Sequence, residues 1–472
     1  MKPKWGSWTD SPVPWNTSRV ALTSINPSTE KTIGTYEELS DSELDAKVVR
    51  AKASFEQHRR SSVRERANLV RALGKLLHEH RESHARTMTE EMGKTFGSAL
   101  AEVDKCAATC NYYAQYAEPS LDDKPIATEA QSSYVRHLPL GVILGVMPWN
   151  FPFWQVIRWA VPTLMAGNVA LLKHSSNVSG CSLALDHLFR SAGFEEAFQS
   201  LLVPSNRVSD LISDDRIAGV SLTGSEAAGA AVAASAGAHI KKCVLELGGN
   251  DPFIIMPSAH LDEAVPAAVA ARILNNGQSC IAAKRFIVHR AHYEDFLREF
   301  VRRFETLNVG DPFAPDTSVG PLATRAGLEQ VQTQVDSARA SGANVLCGGQ
   351  RLRKPGYFYA PTVVSDIPAH ATINREEVFG PVALVYQIDD IDAALRLAND
   401  TPYGLGSSVW TNDETEQAKF IQGLESGLTF VNAPVASDPR LPFGGVKHSG
   451  YGRELGELGI LEFVNSKTVY VR

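Results

Sequence analysis

At 472 residues the chain exceeds the roughly 250–300 at which a single hydrophobic core stops growing, so two or three domains are expected. Hydrophobic residues at 44% and charged residues at 21% describe an ordinary globular protein. The net charge of −7 argues against nucleic acid or an anionic membrane as the main partner, and no uninterrupted apolar run is long enough to suggest a membrane span.

Met1 to Gly6 lacks the apolar run of a signal peptide, so a cytoplasmic location is expected. The cysteines at 106, 110, 181, 243, 280 and 347 are scattered through a large chain, which predicts reduced thiols and no disulfide framework. Cys106 and Cys110 lie four apart with no further ligand nearby, so they read as one helix face and no metal site is expected.

In chain order, Asn26-Pro27 opens a turn, and a short strand runs through Lys31 to Tyr36. Ser42-Glu43-Leu44-Asp45 and Ser62-Val63-Arg64-Glu65 each read as a capping box at a helix start. The second leads into a core stripe of Leu69, Val70, Leu73, Leu76 and Leu77. Ser132 to His137 alternates like an extended strand, as does the tail from Ile460 to Val471, at Phe463, Val469 and Val471. The tail is an edge-strand candidate that needs covering or pairing.

From Gly141 apolar strands alternate with helical stretches: Val142 to Val146, Val169 to Leu172, Leu201 to Val203, Ile217 to Leu222 and Val244 to Leu247. That interval predicts parallel βαβ units in a doubly wound sheet, with ligands beyond the carboxyl ends of the strands. Pro148-Trp149-Asn150, Lys173, Thr223-Gly224-Ser225 and Glu246 all fall at such ends, which places them in one crevice. A second α/β region begins near Asp251 and runs through Cys280 and Glu377 to Gly445.

Cys280 follows a Gly277-Gln278-Ser279 turn whose backbone N–H groups can face an anion, although a lone cysteine is more often an inert small hydrophobe. Asn150 could supply an oxyanion donor or could simply cap the following helix. Glu246 could serve as a general base, or could close a buried strand in an ion pair with Lys242. Gly224 and Ser225 open an Ala-rich helix, which suits either a phosphate or a plain cap.

Four stretches together resemble the aldehyde dehydrogenase superfamily: Met147-Pro148-Trp149-Asn150-Phe151-Pro152, Leu245-Glu246-Leu247-Gly248-Gly249, Gly277-Gln278-Ser279-Cys280 and Glu377-Val378-Phe379-Gly380-Pro381. Their separations agree with the family: 34 residues from Glu246 to Cys280, and 97 from there to Glu377. Leu172 to Val178, Lys242 to Glu246 and Ser437 to Phe443 are worded like its succinate-semialdehyde dehydrogenase branch.

The resemblance implies an α/β protein: a doubly wound, parallel-sheet cofactor domain (1–115 and 138–250), a second α/β catalytic domain (251–454), and small β oligomerisation segments (116–137 and 455–472). It implies a homodimer or homotetramer acting on a small-molecule aldehyde. Cys280 would be the nucleophile, Glu246 the base that activates water, and Asn150 with the Cys280 N–H the oxyanion site. A nicotinamide dinucleotide would contact Pro148, Trp149, Lys173, Ser176, Gly224, Ser225, Leu247, Glu377 and Phe379.

Family members that strongly prefer NAD carry a glutamate three residues after the strand-end lysine. Here that position is Ser176, so NADP is favoured over NAD, although a small residue could merely make room for either. Arg158 stands where succinate-semialdehyde enzymes bind the substrate carboxylate, though it could be held for packing between Trp154 and Trp159. Many of those enzymes have a second arginine six residues before the cysteine, where this chain has Leu274, and Arg440 is expected to compensate. A cysteine that some relatives carry two residues after the nucleophile is here Ala282, so no local disulfide switch is expected. The rival readings are an aldehyde dehydrogenase of broad aliphatic or aromatic range, a cysteine esterase using Cys280 and Glu246, and a silent structural homologue.

Overall fold

The computed structural model describes residues 21–472; the reading of Met1 to Gly6 falls outside them. The strands Ala21–Asn26 and Lys31–Glu37 form an antiparallel hairpin around the predicted Asn26-Pro27 turn. Four helices follow, Asp41–His58, Val63–Glu79, Arg81–Met92 and Phe96–Tyr116. Ser62 and Glu65 make the expected reciprocal cap of the second. At the first the cap lies two residues earlier than expected, with Ser40 and Glu43 exchanging the bonds. Two overlapping Ser-x-x-acid patterns compete there, and the longer glutamate wins because it reaches back to the cap N–H. Asp45, freed from capping, pairs with Arg216 at 2.8 Å.

The first large sheet contains Val142–Met147, Val169–His174, Phe198–Ser200, Ile217–Thr223 and Lys242–Glu246, all parallel. The third strand lies at Phe198–Ser200, ahead of the expected Leu201 to Val203. Leu201 still donates its N–H to the Leu172 carbonyl at 2.7 Å, but Val203, equally buried, has left the ladder ahead of Pro204, so its apolarity reflects burial and not pairing. In space the two outward runs start from the central pair, Val142–Met147 and Ile217–Thr223. That reversal point is where a doubly wound sheet opens a crevice at its carboxyl edge. Gly450–Tyr451 crosses back to pair antiparallel with Lys242–Glu246, so residues after 251 also help build this sheet.

A second sheet of seven strands is built on Pro252–Ile255, Arg285–His289, Val382–Ile388 and Gly406–Trp410. The helices Leu261–Ile273 and Tyr293–Glu305 pack on it through Val265, Phe296, Phe300 and Phe304. A three-stranded antiparallel sheet joins Lys124–Pro125, Ser132–Pro139 and the tail strand Val464–Val471. The tail is therefore paired along its whole length within its own chain. Its expected alternation does not mark a buried face, since Phe463 lies before the strand and Val471 is exposed.

Candidate active site

The loop carrying Cys280 is shaped by the two asparagines and the glycine that precede it. After the helix Leu261–Ile273, Asn275 and Asn276 take left-handed φ of 56° and 59° and Gly277 takes 76°. Asparagine tolerates that region because its side chain can replace lost backbone bonds. The Asn275 amide donates to the Asn150 carbonyl at 2.6 Å, and the Asn276 amide to Gly93 and Pro321 carbonyls at 2.9 and 3.0 Å. Gly277 is required because a Cβ there would lie 2.4 Å from the Gly380 backbone, so the thiol loop and the Glu377-to-Pro381 segment pass in direct contact.

Arg272, wholly buried, locks that contact by donating to the carbonyls of Gly277 at 2.6 Å, Gly380 at 2.7 Å and Ala283 at 2.9 Å. Burial pulls its pKa down to about 9. Lys284 donates to the carbonyls of Ser279 and Cys280 and pairs with Glu377 at 3.2 Å. Glu377 also accepts the Gly249 N–H at 3.1 Å. One network of cations and carbonyls thus ties Cys280 to Glu377.

The carboxyl end of Val142–Met147 delivers Pro148, Trp149 and Asn150 to the same place. Asn150 is 4% exposed and donates one amide hydrogen to the Gln278 carbonyl at 3.1 Å. An amide has two such hydrogens, so one remains for another acceptor. The next helix, Trp154–Met165, has no side-chain cap of its own. Glu102 replaces it from Phe96–Tyr116, accepting the Phe153 and Trp154 N–H groups at 2.9 Å each, while buried Lys94 balances its charge.

Cys280 stands where two cavities meet. One, of about 920 Å³, is lined by Pro148, Trp149, Gly224, Ser225, Leu247, Glu377 and Phe379, among others. The other, of about 380 Å³, is walled by Phe151, Trp154, Phe443 and Leu274 and contains Arg158, Lys105 and Ser437. Burial pushes the Cys280 thiol up to about 12, with Arg158 and Lys284 pulling the other way.

The larger cavity fits a dinucleotide. Ser225 caps the helix Glu226–Ala238, whose first-turn N–H groups open toward the cavity beside Gly224. A Cβ on Gly248 would lie 2.4 Å from the Glu377 carboxylate, so a larger residue there would displace that carboxylate from its bond to Gly249. Trp149 and Phe379 meet edge to face at 5.7 Å. Lys173 and Ser176 sit at the end of the neighbouring strand and line neither cavity. Lys173 reaches Ser205 at 3.4 Å and its pKa is lowered by burial, whereas Ser176 is exposed.

Glu246 ends its strand, as expected, but is not paired with Lys242, which binds Glu462 at 3.0 Å. Both Glu246 oxygens are buried without a hydrogen-bond partner, and the side chain lines neither cavity. Its pKa is pushed well up, first by burial and then by the Glu454 carboxylate, with Arg158 opposing. Glu454 also has a raised pKa from burial, against the pull of Arg158.

Arg158 is 2% exposed, its Nε in ion-pair contact with Glu454, off the line of a well-aligned hydrogen bond, and its plane 4.5 Å from the Phe443 ring. Arg440 does not enter the cavity: it is turned onto Asp438, two residues away, at 2.8 Å on an exposed loop. That local pair forms without any long-range contact, which is why the expected compensation fails. Among the described residues no cluster of three metal-ligating side chains exists.

Residues 15–469 match the model of the aldehyde dehydrogenase family. The chain belongs to that family, as the crevice at the sheet reversal and the half-buried thiol where the two cavities meet also indicate. It is 50% identical over 453 residues to a probable succinate-semialdehyde dehydrogenase [NADP(+)] of Synechocystis sp., covering 96% of this chain and all of the relative. It is 52% identical over 454 residues to succinate-semialdehyde dehydrogenase [NADP(+)] 1 of Mycobacterium tuberculosis, covering 95% and 99%. Among solved structures, succinic semialdehyde dehydrogenase from Streptococcus pyogenes in complex with NADP+ superposes with a TM-score of 0.94 at 36% identity, over 96% of this chain and all of that one.

Proposed function

We propose that this chain oxidises succinic semialdehyde to succinate with NADP+, as a homo-oligomer in the cytoplasm. The observation that carries the reading is the position of Cys280, shared by a cavity that fits a dinucleotide and a second that fits a small aldehyde. Cys280 gives up its thiol proton to water as its sulfur adds to the aldehyde carbon, and the resulting oxyanion accepts the second Asn150 amide hydrogen and the Cys280 N–H. A nicotinamide held by Trp149, Leu247, Glu377 and Phe379 would supply the two-electron acceptor for oxidising the Cys280 adduct to a thioester.

Glu246 then takes a proton from water, whose oxygen attacks the thioester carbon and releases the carboxylate and the Cys280 thiol. A buried carboxylate with a raised pKa is a stronger base than an ordinary one, which suits that task. Because Glu246 lines neither cavity, its side chain must turn toward Cys280 to act. Arg158, buried in the smaller cavity wall, favours a substrate with a second, anionic end. The names of the relatives support the same substrate and cofactor.

Ser176 presents no carboxylate beside Lys173, so a 2′-phosphate would meet a cation and a hydroxyl there. A charge-assisted hydrogen bond of that kind is worth roughly 1.5–3 kcal/mol before desolvation. The test is an aldehyde panel run with each nicotinamide. Succinic semialdehyde with NADP+ should be turned over most efficiently. Equal or better efficiency on hexanal and benzaldehyde would contradict the substrate, and tenfold better use of NAD+ would contradict the cofactor.

A further inference from the structure

Two cations line the smaller cavity, Arg158 and Lys105, and the first of them is already matched, as are Lys94 and Arg440 outside the wall. Lys94 pairs with Glu102, Arg158 with Glu454, and Arg440, outside the wall, with Asp438. Lys105 is different. It projects from the helix Phe96–Tyr116 one turn beyond Glu102 and lines the cavity with Cys280. Its Nζ donates to Ser437 Oγ at 2.6 Å and lies 4.3 Å from the centre of the Trp154 ring. No carboxylate among the described residues forms an ion pair with it.

We propose that Lys105, oriented by Ser437, anchors the far carboxylate of the substrate, and so selects the semialdehyde of a dicarboxylic acid over an uncharged aldehyde. The inference deepens the succinic-semialdehyde reading and rests on it. With the other charges paired, the cavity carries one surplus positive charge, the complement of one carboxylate. A half-buried ammonium without an ion-pair partner has lost part of its hydration, and a bound carboxylate offsets that loss. Ser437, accepting from Lys105, keeps its own O–H to donate to the same carboxylate. Arg158 cannot play this part alone, because Glu454 already answers its charge.

The surroundings of Lys105 support the assignment. Burial and then Arg158 lower its pKa to about 8, against Cys106, Glu102 and Asp438, which raise it. Above that pH the free enzyme loses the charge, so KM for succinic semialdehyde should climb there.

The test is the ratio of kcat/KM for succinic semialdehyde to that for butanal, in wild type, Lys105→Met, Lys105→Arg and Ser437→Ala. Losing a charged hydrogen bond should cut the ratio about tenfold to a hundredfold in Lys105→Met, through KM. Lys105→Arg should restore most of it and abolish the rise of KM above pH 8. Should Lys105→Met fail to fold, judged by loss of NADP+ binding, Ser437→Ala carries the test and should lower the ratio several-fold. An unchanged ratio in the folded variants, or a parallel loss on both aldehydes, overturns the assignment of Lys105. A wild-type ratio at or below one overturns the succinic-semialdehyde reading itself, and the anchor with it.

Discussion

Glu246, Glu454 and Arg158 form a chain of charge in which each member sets the state of the next. Glu454 raises the pKa of Glu246, while Arg158 lowers the pKa of both. Replacing Glu454 with Gln removes a negative charge and leaves Arg158 uncompensated, and both changes favour the ionised form of Glu246. The acid limb of the kcat–pH profile should therefore move to lower pH in Glu454→Gln; an unmoved limb would show that Glu246 is not the limiting base. On the proposal that Ser176 meets the 2′-phosphate, Ser176→Glu should depress NADP+ use at least tenfold while NAD+ use changes little, read from kcat/KM with each cofactor. Cys280, Asn150 and Glu246 could be singled out in the sequence because each stands in a short string that resembles a family motif, whereas the local chemistry of each alone left a structural role open. Glu454 and Lys105 could not, because their partners are hundreds of residues away and only packing brings them together.

The thiol loop holds its shape through buried side chains bonded to backbone carbonyls, and Arg272 is its centre. Arg272→Met would fill similar space but remove the donor from the Gly277 and Ala283 carbonyls, while Gly380 keeps the Val382 N–H at 2.8 Å; each group left unsatisfied costs about 1–3 kcal/mol. The variant should melt several degrees lower and lose activity more than nucleotide affinity. Wild-type melting and turnover would show that the loop is held by other means. Periodicity revealed most of the parallel strands, because buried strands of a doubly wound sheet read as apolar runs. It misplaced the third because Leu201 and Val203 are apolar through burial, although the first makes only the closing bond of the ladder and the second none. The first cap was misread for a different reason, since two serines competed and only geometry decides between them.

Across the whole molecule, burial also holds histidines neutral, and this sets a pH dependence of stability. His58, His84 and His174 have pKa values lowered from 6.5 to about 4, chiefly by burial. A base with a depressed folded pKa is protonated first in the unfolded chain, so its contribution is present above pH 6.5 and lost as pH falls toward 4. His58 hydrogen-bonds the Leu164 carbonyl at 3.0 Å, a contact that glutamine can also make. The stability advantage of wild type over His58→Gln should narrow as pH falls from 6.5 to 4 in denaturant titrations. A constant gap would contradict the buried neutral ring. The doubly wound sheet was legible because strands and helices alternate along the chain. The return of Gly450–Tyr451 to its edge was not, since two residues carry no periodicity.

The central claim is that the aldehyde is oxidised while covalently attached to Cys280 and freed by Glu246. The most direct measurement is intact mass and peptide mapping of Glu246→Gln after mixing with succinic semialdehyde and NADP+. The account predicts a burst of reduced cofactor near one per active site, little further turnover, and a succinyl group on the peptide containing Cys280. Sustained turnover with unmodified Cys280 would contradict it.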